Sequence, residues 1–110
     1  MVNHTVIVGR LTKDPEVFET EDGKKVTNVT LAVPRSYKNE EGVYETDFIK
    51  CGLWGVPGES TNEYCQKGDM VGIKGRLSTD KSNNIVFVGD KVAFLSSHHK
   101  DKDQEQEQEL

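Results

Sequence analysis

A chain of 110 residues that is 34% apolar and carries a net charge of −5 has room for one compact domain and not for two. No apolar run approaches the length of a bilayer crossing, and no secretory signal precedes the first apolar run, which reads as a cytoplasmic protein. The balance is not the overall basic one of many nucleic-acid binders, so the placement of individual charges has to carry any such reading.

In chain order, Thr5-Val6-Ile7-Val8-Gly9-Arg10-Leu11 reads as a strand. Residues 16–20 form a short extended stretch that runs into the hairpin signal Asp22-Gly23. Residues 26–33 alternate, with Val29, Leu31 and Val33 inward and Asn28, Thr30 and Ala32 outward. Pro34 ends this strand or marks it as an edge. A polar turn, Asn39-Glu40-Glu41-Gly42, leads into residues 46–54. There Ile49, Cys51 and Leu53 share one face and Thr46, Phe48, Lys50, Gly52 and Trp54 the other.

The segment 57–66 is the one helix candidate. Pro57 suits a first turn, Glu59 suits the positive helix end, and Gly68 closes it. Residues 70–78 form a strand with Val71, Ile73 and Leu77 inward and Lys74 and Arg76 outward. After the turn Ser82-Asn83-Asn84, residues 85–88 and 91–95 give a last strand bent near Gly89-Asp90. Five main strands with a helix between the third and fourth predict a small all-β barrel of the OB type. The glycines inside strands (Gly9, Gly52, Gly72, Gly75 and Gly89) suit its curvature. The folded domain is expected over residues 1–96. Residues 97–110, rich in Glu, Gln, Asp and Lys with almost nothing to bury, are expected to be a disordered acidic tail.

Phe48 and Trp54 flank Lys50 and a glycine on the outward side of one strand. Aromatics with a cation between them are what a sheet needs to stack bases and hold a phosphate backbone. Taken alone, packing of these aromatics against a helix or another subunit is the commoner outcome, because large aromatics are buried more often than they bind. The neighbouring elements favour binding. Lys74 and Arg76 share a face, Arg35-Ser36-Tyr37-Lys38 sets an aromatic between cations, and Arg10 and Lys13 flank the end of the first strand. Catalysis finds no support. The three histidines lie at position 4 and in the tail, no nucleophile and base can be paired, and no Gly-rich phosphate loop or metal-ligand spacing is present. The reading is therefore of a protein that is not an enzyme and needs no cofactor. Cys51 and Cys65 lack Cys-x-x-Cys spacing and read as reduced thiols.

Four blocks carry a resemblance. They are Val8-Gly9-Arg10-Leu11-Thr12-Lys13-Asp14-Pro15-Glu16, Asn28-Val29-Thr30-Leu31-Ala32-Val33, Asp47-Phe48-Ile49-Lys50-Cys51-Gly52-Leu53-Trp54-Gly55, and Lys67-Gly68-Asp69-Met70-Val71-Gly72-Ile73-Lys74-Gly75-Arg76-Leu77. Together they resemble the bacterial single-stranded DNA-binding proteins over nearly the whole folded part. The resemblance implies an OB fold, a homotetramer, and coating of single-stranded DNA in replication, recombination and repair, at the nucleoid. It implies base stacking on Tyr37, Phe48 and Trp54, and phosphate contacts from Arg10, Arg35, Lys38, Lys50, Lys74, Arg76 and Lys81. An RNA-binding OB protein, or an interaction module whose aromatic face is a protein interface, are the alternatives. Three positions depart from the family pattern. Ser82 stands in a short loop where relatives often carry another stacking aromatic, and Val56 stands where a basic residue is common. The sequence reads Glu109-Leu110 where the family places aspartates and Ile-Pro-Phe, the tip that recruits replication and repair proteins. These departures suggest a phage, plasmid or otherwise divergent member.

Overall fold

The structure, a computed structural model, describes residues 1–96; the expected tail, residues 97–110, lies outside the described residues. In chain order it comprises β1 (Thr5–Leu11), β2 (Glu16–Glu19), β3 (Lys25–Lys38), β4 (Tyr44–Trp54), α1 (Val56–Tyr64), β5 (Met70–Thr79) and β6 (Ile85–Ser96). The strands form one sheet in the order β1-β5-β6-β4-β3-β2, and β1 also pairs with β3. That extra pairing closes β1, β3, β4, β6 and β5 into a five-stranded barrel, with β2 added outside the ring. Every pairing is antiparallel except β4 with β6, which is parallel over Cys51↔Phe87 to Leu53↔Gly89. This is the OB barrel the element order predicts.

The core follows the alternation. Leu11, Val29, Leu31, Cys51, Leu53, Val71, Ile73 and Phe87 are buried together, with Ile7, Val33, Ile49 and Val92 packed around them. Cys51 and Cys65 are both free and buried, and burial pushes the Cys51 thiol up to about 12. The helix presses on the barrel through Gly58 and Thr61. Thr61 Oγ1 donates to the Pro57 carbonyl at 2.8 Å, satisfying a hydroxyl that is fully buried. The segment after the helix is tied back to β1. Gly68 N–H donates to the Leu11 carbonyl (2.8 Å), Leu11 N–H donates to the Asp69 carbonyl (2.9 Å), and the buried Asp69 carboxylate accepts from Gln66 N–H (2.9 Å).

Three turns hold the hairpins, one through a glycine and two through side chains. Gly23 at φ 86° follows Asp22 between β2 and β3. Asn39 Oδ1 accepts from the N–H groups of Glu41 and Val43, both at 2.9 Å, between β3 and β4. Asp80 Oδ1 does the same for Ser82 and Asn84, again at 2.9 Å, between β5 and β6.

The structure departs from the sequence reading in three places, and it decides between the two readings of Pro34. Pro34 does not end β3; the strand runs on to Lys38, paired Pro34↔Thr46 and Lys38↔Tyr44 with a bulge between. The β1 pairing of β3 involves only Leu31 and Ala32, so Pro34 lies on an edge, where a missing N–H is tolerated. The strand expected at 46–54 starts earlier, at Tyr44. The helix expected at 57–66 spans Val56–Tyr64, because Cys65 is already extended at φ −116° and ψ 153°. Leu77, read as inward, is 44% exposed. It pairs with Phe87 where the β5–β6 hairpin leaves the barrel, so its inward side faces a groove and not the core. The bend near Gly89-Asp90 is present: the register shifts there, with Lys74 opposite Lys91 and Gly75 opposite Gly89.

Gly58 yields the fold test. Exchanging a helical glycine for alanine normally adds up to about 1 kcal/mol through helix propensity. Here the new Cβ would collide with the Leu53 carbonyl and come within 2.7 Å of Thr27 Oγ1, both on the barrel wall. Gly58→Ala is therefore expected to lower stability by about 1–3 kcal/mol in urea unfolding. An unchanged or raised midpoint would contradict the packing of α1 described above.

Candidate nucleic-acid interface

The outer face of β3–β4 is set by register. Val26 lies opposite Trp54, Asn28 opposite Gly52, Thr30 opposite Lys50 and Ala32 opposite Phe48. Directly opposed residues on an antiparallel pair share a face. The large groups therefore stand on β4, and β3 beside them offers only small or medium side chains. Phe48 is 67% exposed and Trp54 44%, far more than aromatics serving a core. Lys50 stands between them, two residues from Phe48 and four from Trp54. A Cβ on Gly52 would meet only ordinary contacts, so the glycine is not required by packing within the chain. It leaves a gap in the row between Lys50 and Trp54.

This face opens into a groove of about 690 Å³. Phe48, Lys50, Gly52 and Trp54 form one wall, and Leu77, Ile85 and Phe87 of the β5–β6 hairpin form another. The hairpin is held partly by Asn3, whose side chain exchanges two hydrogen bonds with the Leu77 backbone, at 2.7 and 3.0 Å, in the manner of a short strand.

The remaining site residues fall into three groups. Arg76 reaches the stacking face, because the row Arg76–Val88–Gly52–Asn28 crosses β5, β6, β4 and β3 in register, and Arg76 shares a depression with Trp54. Its Nη1 is 3.0 Å from Asp90. Arg10 also reaches this face, through the row Arg10–Ala32–Phe48, with Nη1 donating to the Gly68 carbonyl at 3.0 Å. Tyr37, Lys38 and Arg35 sit together on the β3–β4 hairpin. Tyr37 is 62% exposed, and Lys38 Nζ stands 5.7 Å from the ring of Tyr44. Lys74 shares the outer face of β5 with Arg76, as alternation requires, and Lys81 lies apart from both sets. Lys74 is opposite Val6 on β1 and Lys91 on β6, and Lys81 is in the exposed β5–β6 turn.

Arg35 differs from the others in its electrostatics. It binds Asp47 through Nη2 at 2.9 Å and Glu45 through Nη1 at 2.7 Å, so two carboxylates offset its charge. Hydrogen bonds from the guanidinium hold the Asp47 carboxyl below the usual carboxylate range, and raise the pKa of Arg35 itself. By contrast, Lys50, Lys74 and Lys81 make no ion pair among the described residues.

Two aromatics escaped the sequence reading. Tyr44 continues the alternation of Phe48 and Thr46 two residues further back, a signal the sequence does contain. Phe18 pairs with Val26, which pairs with Trp54, so Phe18 lies on the same face two strands away. The short stretch that contains Phe18 has no inward partner to reveal its orientation: all four residues of β2 are exposed. No cluster of His, Cys, Asp and Glu among the described residues could hold a metal ion, and no described helix is long and apolar enough to cross a membrane.

Comparison with known proteins agrees with this geometry. A family model described as the single-strand binding protein family matches residues 2–107. The chain is 49% identical to single-stranded DNA-binding protein B of Bacillus subtilis, over 93% of this chain and 97% of that one. It is 43% identical to single-stranded DNA-binding protein 2 of Listeria innocua, covering 84% of this chain and 61% of that longer one. Among solved structures, a deletion mutant of the single-stranded DNA binding protein from Thermus aquaticus matches with a TM-score of 0.69 at 19% identity. That alignment covers 88% of this chain and 52% of the other, and shows the same fold. With a barrel of this topology and a family match spanning nearly all its residues, the chain belongs to the single-strand binding protein family.

Proposed function

We propose that this protein binds and coats single-stranded DNA without regard to sequence, in the cytoplasm, during replication, recombination and repair, and that it does no chemistry of its own. One observation carries the reading: Phe48 and Trp54 stand open on one sheet face with Lys50 between them and only small or medium side chains opposite. Each aromatic is a platform for a base. Stacking contributes about 1–3 kcal/mol per base and accepts any sequence, since every base has a π-face. Lys50 neutralises the phosphate between two stacked bases, and the gap at Gly52 admits the backbone.

Tyr37 with Lys38 extends the path along the β3–β4 hairpin, and Arg10 with Arg76 flanks it. Lys74 and Lys81 take phosphates of strand that leaves the groove. Six phosphate contacts on single-stranded DNA, from Arg10, Lys38, Lys50, Lys74, Arg76 and Lys81, give a log–log salt slope of about −4. Arg35 must exchange its carboxylates for phosphate before it adds to that slope.

A second exposed face supports self-association into a homotetramer. Val6 and Val8 of β1 and Ala93 and Leu95 of β6 are exposed on the outside of the barrel. A Cβ on Gly72 would touch both Val8 Cγ2 (3.5 Å) and Leu95 Cδ1 (3.6 Å), so these side chains flank the glycine. An apolar strip of this kind, bordered by Lys74 opposite Val6, marks an interface between chains.

The function is tested by oligo-dT titration followed by anisotropy. Phe48→Ala is expected to weaken binding by about 1–3 kcal/mol at all salt concentrations. Lys50→Ala is expected to reduce the magnitude of the salt slope by about 0.7. Wild-type affinity and slope in both variants would overturn the assignment of the face.

Asp47→Asn removes the main partner of Arg35 and is expected to increase the magnitude of the slope by about 0.7. Acid does the same in the wild type. The folded pKa of Asp47 is depressed, so its pairing stabilises the fold above the ordinary carboxylate range and is lost as pH falls through the lowered value. An Asp47→Asn slope identical to wild type would mean that Arg35 never meets the strand.

Val8→Glu in the β1–β6 strip is expected to give a smaller species in sedimentation velocity, with its secondary structure retained. A species of wild-type size would rule out that strip as the interface.

A further inference from the structure

The geometry points to a further base-stacking site on β2, formed by Phe18 over a floor made by Val26; it rests on the single-stranded DNA reading and extends the path of the strand. Phe18 is 51% exposed on a strand that buries none of its four residues, so its ring is not there to fill the core. The pairs Phe18↔Val26 and Val26↔Trp54 make a straight row across β2, β3 and β4. With neighbouring strands about 4.8 Å apart, the backbones of Phe18 and Trp54 are separated by about 10 Å, with one valine between them. Phe18, Val26, Trp54, Lys50 and Phe48 all line the same groove. The row therefore turns a corner. Phe48, Lys50 and Trp54 run along β4, and the row from Trp54 to Phe18 runs across the sheet.

The charges around Phe18 are compatible with a nucleic-acid strand. Glu16 is on the same face, opposite Asn28, and a bare carboxylate there would repel phosphate. Lys13 Nζ sits 3.3 Å from that carboxylate and offsets it. Lys24 lines the depression beside Trp54 together with Asp22, whose carboxylate is 3.9 Å from its Nζ, so the two charges offset each other at the corner. Glu19 is one residue on from Phe18 and so points to the other face of β2. The ligand is a nucleobase of the same strand that occupies Trp54. It stacks on the Phe18 ring, while its sugar crosses the methyl groups of Val26.

The test uses oligo-dT of increasing length with the wild type, Phe18→Leu and Phe18→Tyr, reading affinity and the number of nucleotides bound per protomer. Phe18→Leu keeps apolar area and loses the ring, and Phe18→Tyr keeps the ring. The shortest oligonucleotide that binds the wild type is expected to bind all three alike, through β4 alone. Long oligonucleotides are expected to bind Phe18→Leu about five- to hundredfold more weakly, with fewer nucleotides per protomer, and to bind Phe18→Tyr as they bind wild type. Wild-type behaviour of Phe18→Leu at every length would overturn the proposal. So would an equal loss in both variants at every length, since that is a structural effect. A wild-type chain that binds no oligonucleotide at all would remove the proposed function itself, a result distinct from either.

Discussion

Everything at the interface depends on the register between β3 and β4. These strands pair without a break from Val26↔Trp54 to Pro34↔Thr46. In that register Val29, Leu31, Cys51 and Leu53 enter the core, and Phe48, Lys50, Gly52 and Trp54 face out. A slip of one residue on β4 would reverse its faces, burying Phe48, Lys50 and Trp54 and exposing Leu53 and Cys51. The apolar contacts of the core are thus what holds the aromatics in the open. No separate interaction has to pay for their exposure.

Barrel closure then decides what meets that face. The β1–β3 contact is short, Arg10↔Ala32 and Leu11↔Leu31, and is supplemented by Thr12 N–H donating to the Thr30 carbonyl at 3.0 Å. It is enough to carry Arg10 into the row of Phe48. The parallel β4–β6 pairing carries Arg76 into the row of Gly52 through Val88. Gly75 and Gly89 sit at the register shift in β5–β6, where a Cβ on Gly75 would run into the Val88 carbonyl. The bend there swings the β5–β6 hairpin over the groove, so that Leu77 and Ile85 become wall and not core.

The sequence was most legible where alternation was strong and one side was apolar. Residues 46–54 sorted cleanly into two faces, and Phe48, Lys50 and Trp54 are together in the structure as that sorting requires. The hairpin glycine after Asp22 and the bend at Gly89-Asp90 were also readable, because turn chemistry is local. What was not legible depended on partners distant in sequence. Leu77 alternates like a core residue, and only the hairpin's exit from the barrel exposes it. Phe18 lies on a four-residue strand with no buried side, so nothing local fixes its face; the pairing with Val26 does. Arg35 and Lys50 look equivalent as cations, yet one is held by Asp47 and Glu45 and the other makes no ion pair among the described residues.

The β4 aromatics, held open by the β3–β4 register, are the proposed platforms for bases. Trp54 is the only tryptophan in the chain, so intrinsic fluorescence reports on that face directly. The measurement is its emission during titration with oligo-dT, oligo-rU and a double-stranded DNA at low and high salt. Strong, saturable quenching by oligo-dT, weakened by salt, is expected, with little effect of the duplex, whose bases are already stacked on one another. Stronger quenching by oligo-rU would reassign the strand to RNA. Unchanged emission with every nucleic acid at low salt would contradict the account and leave the aromatic face as a surface for protein contact.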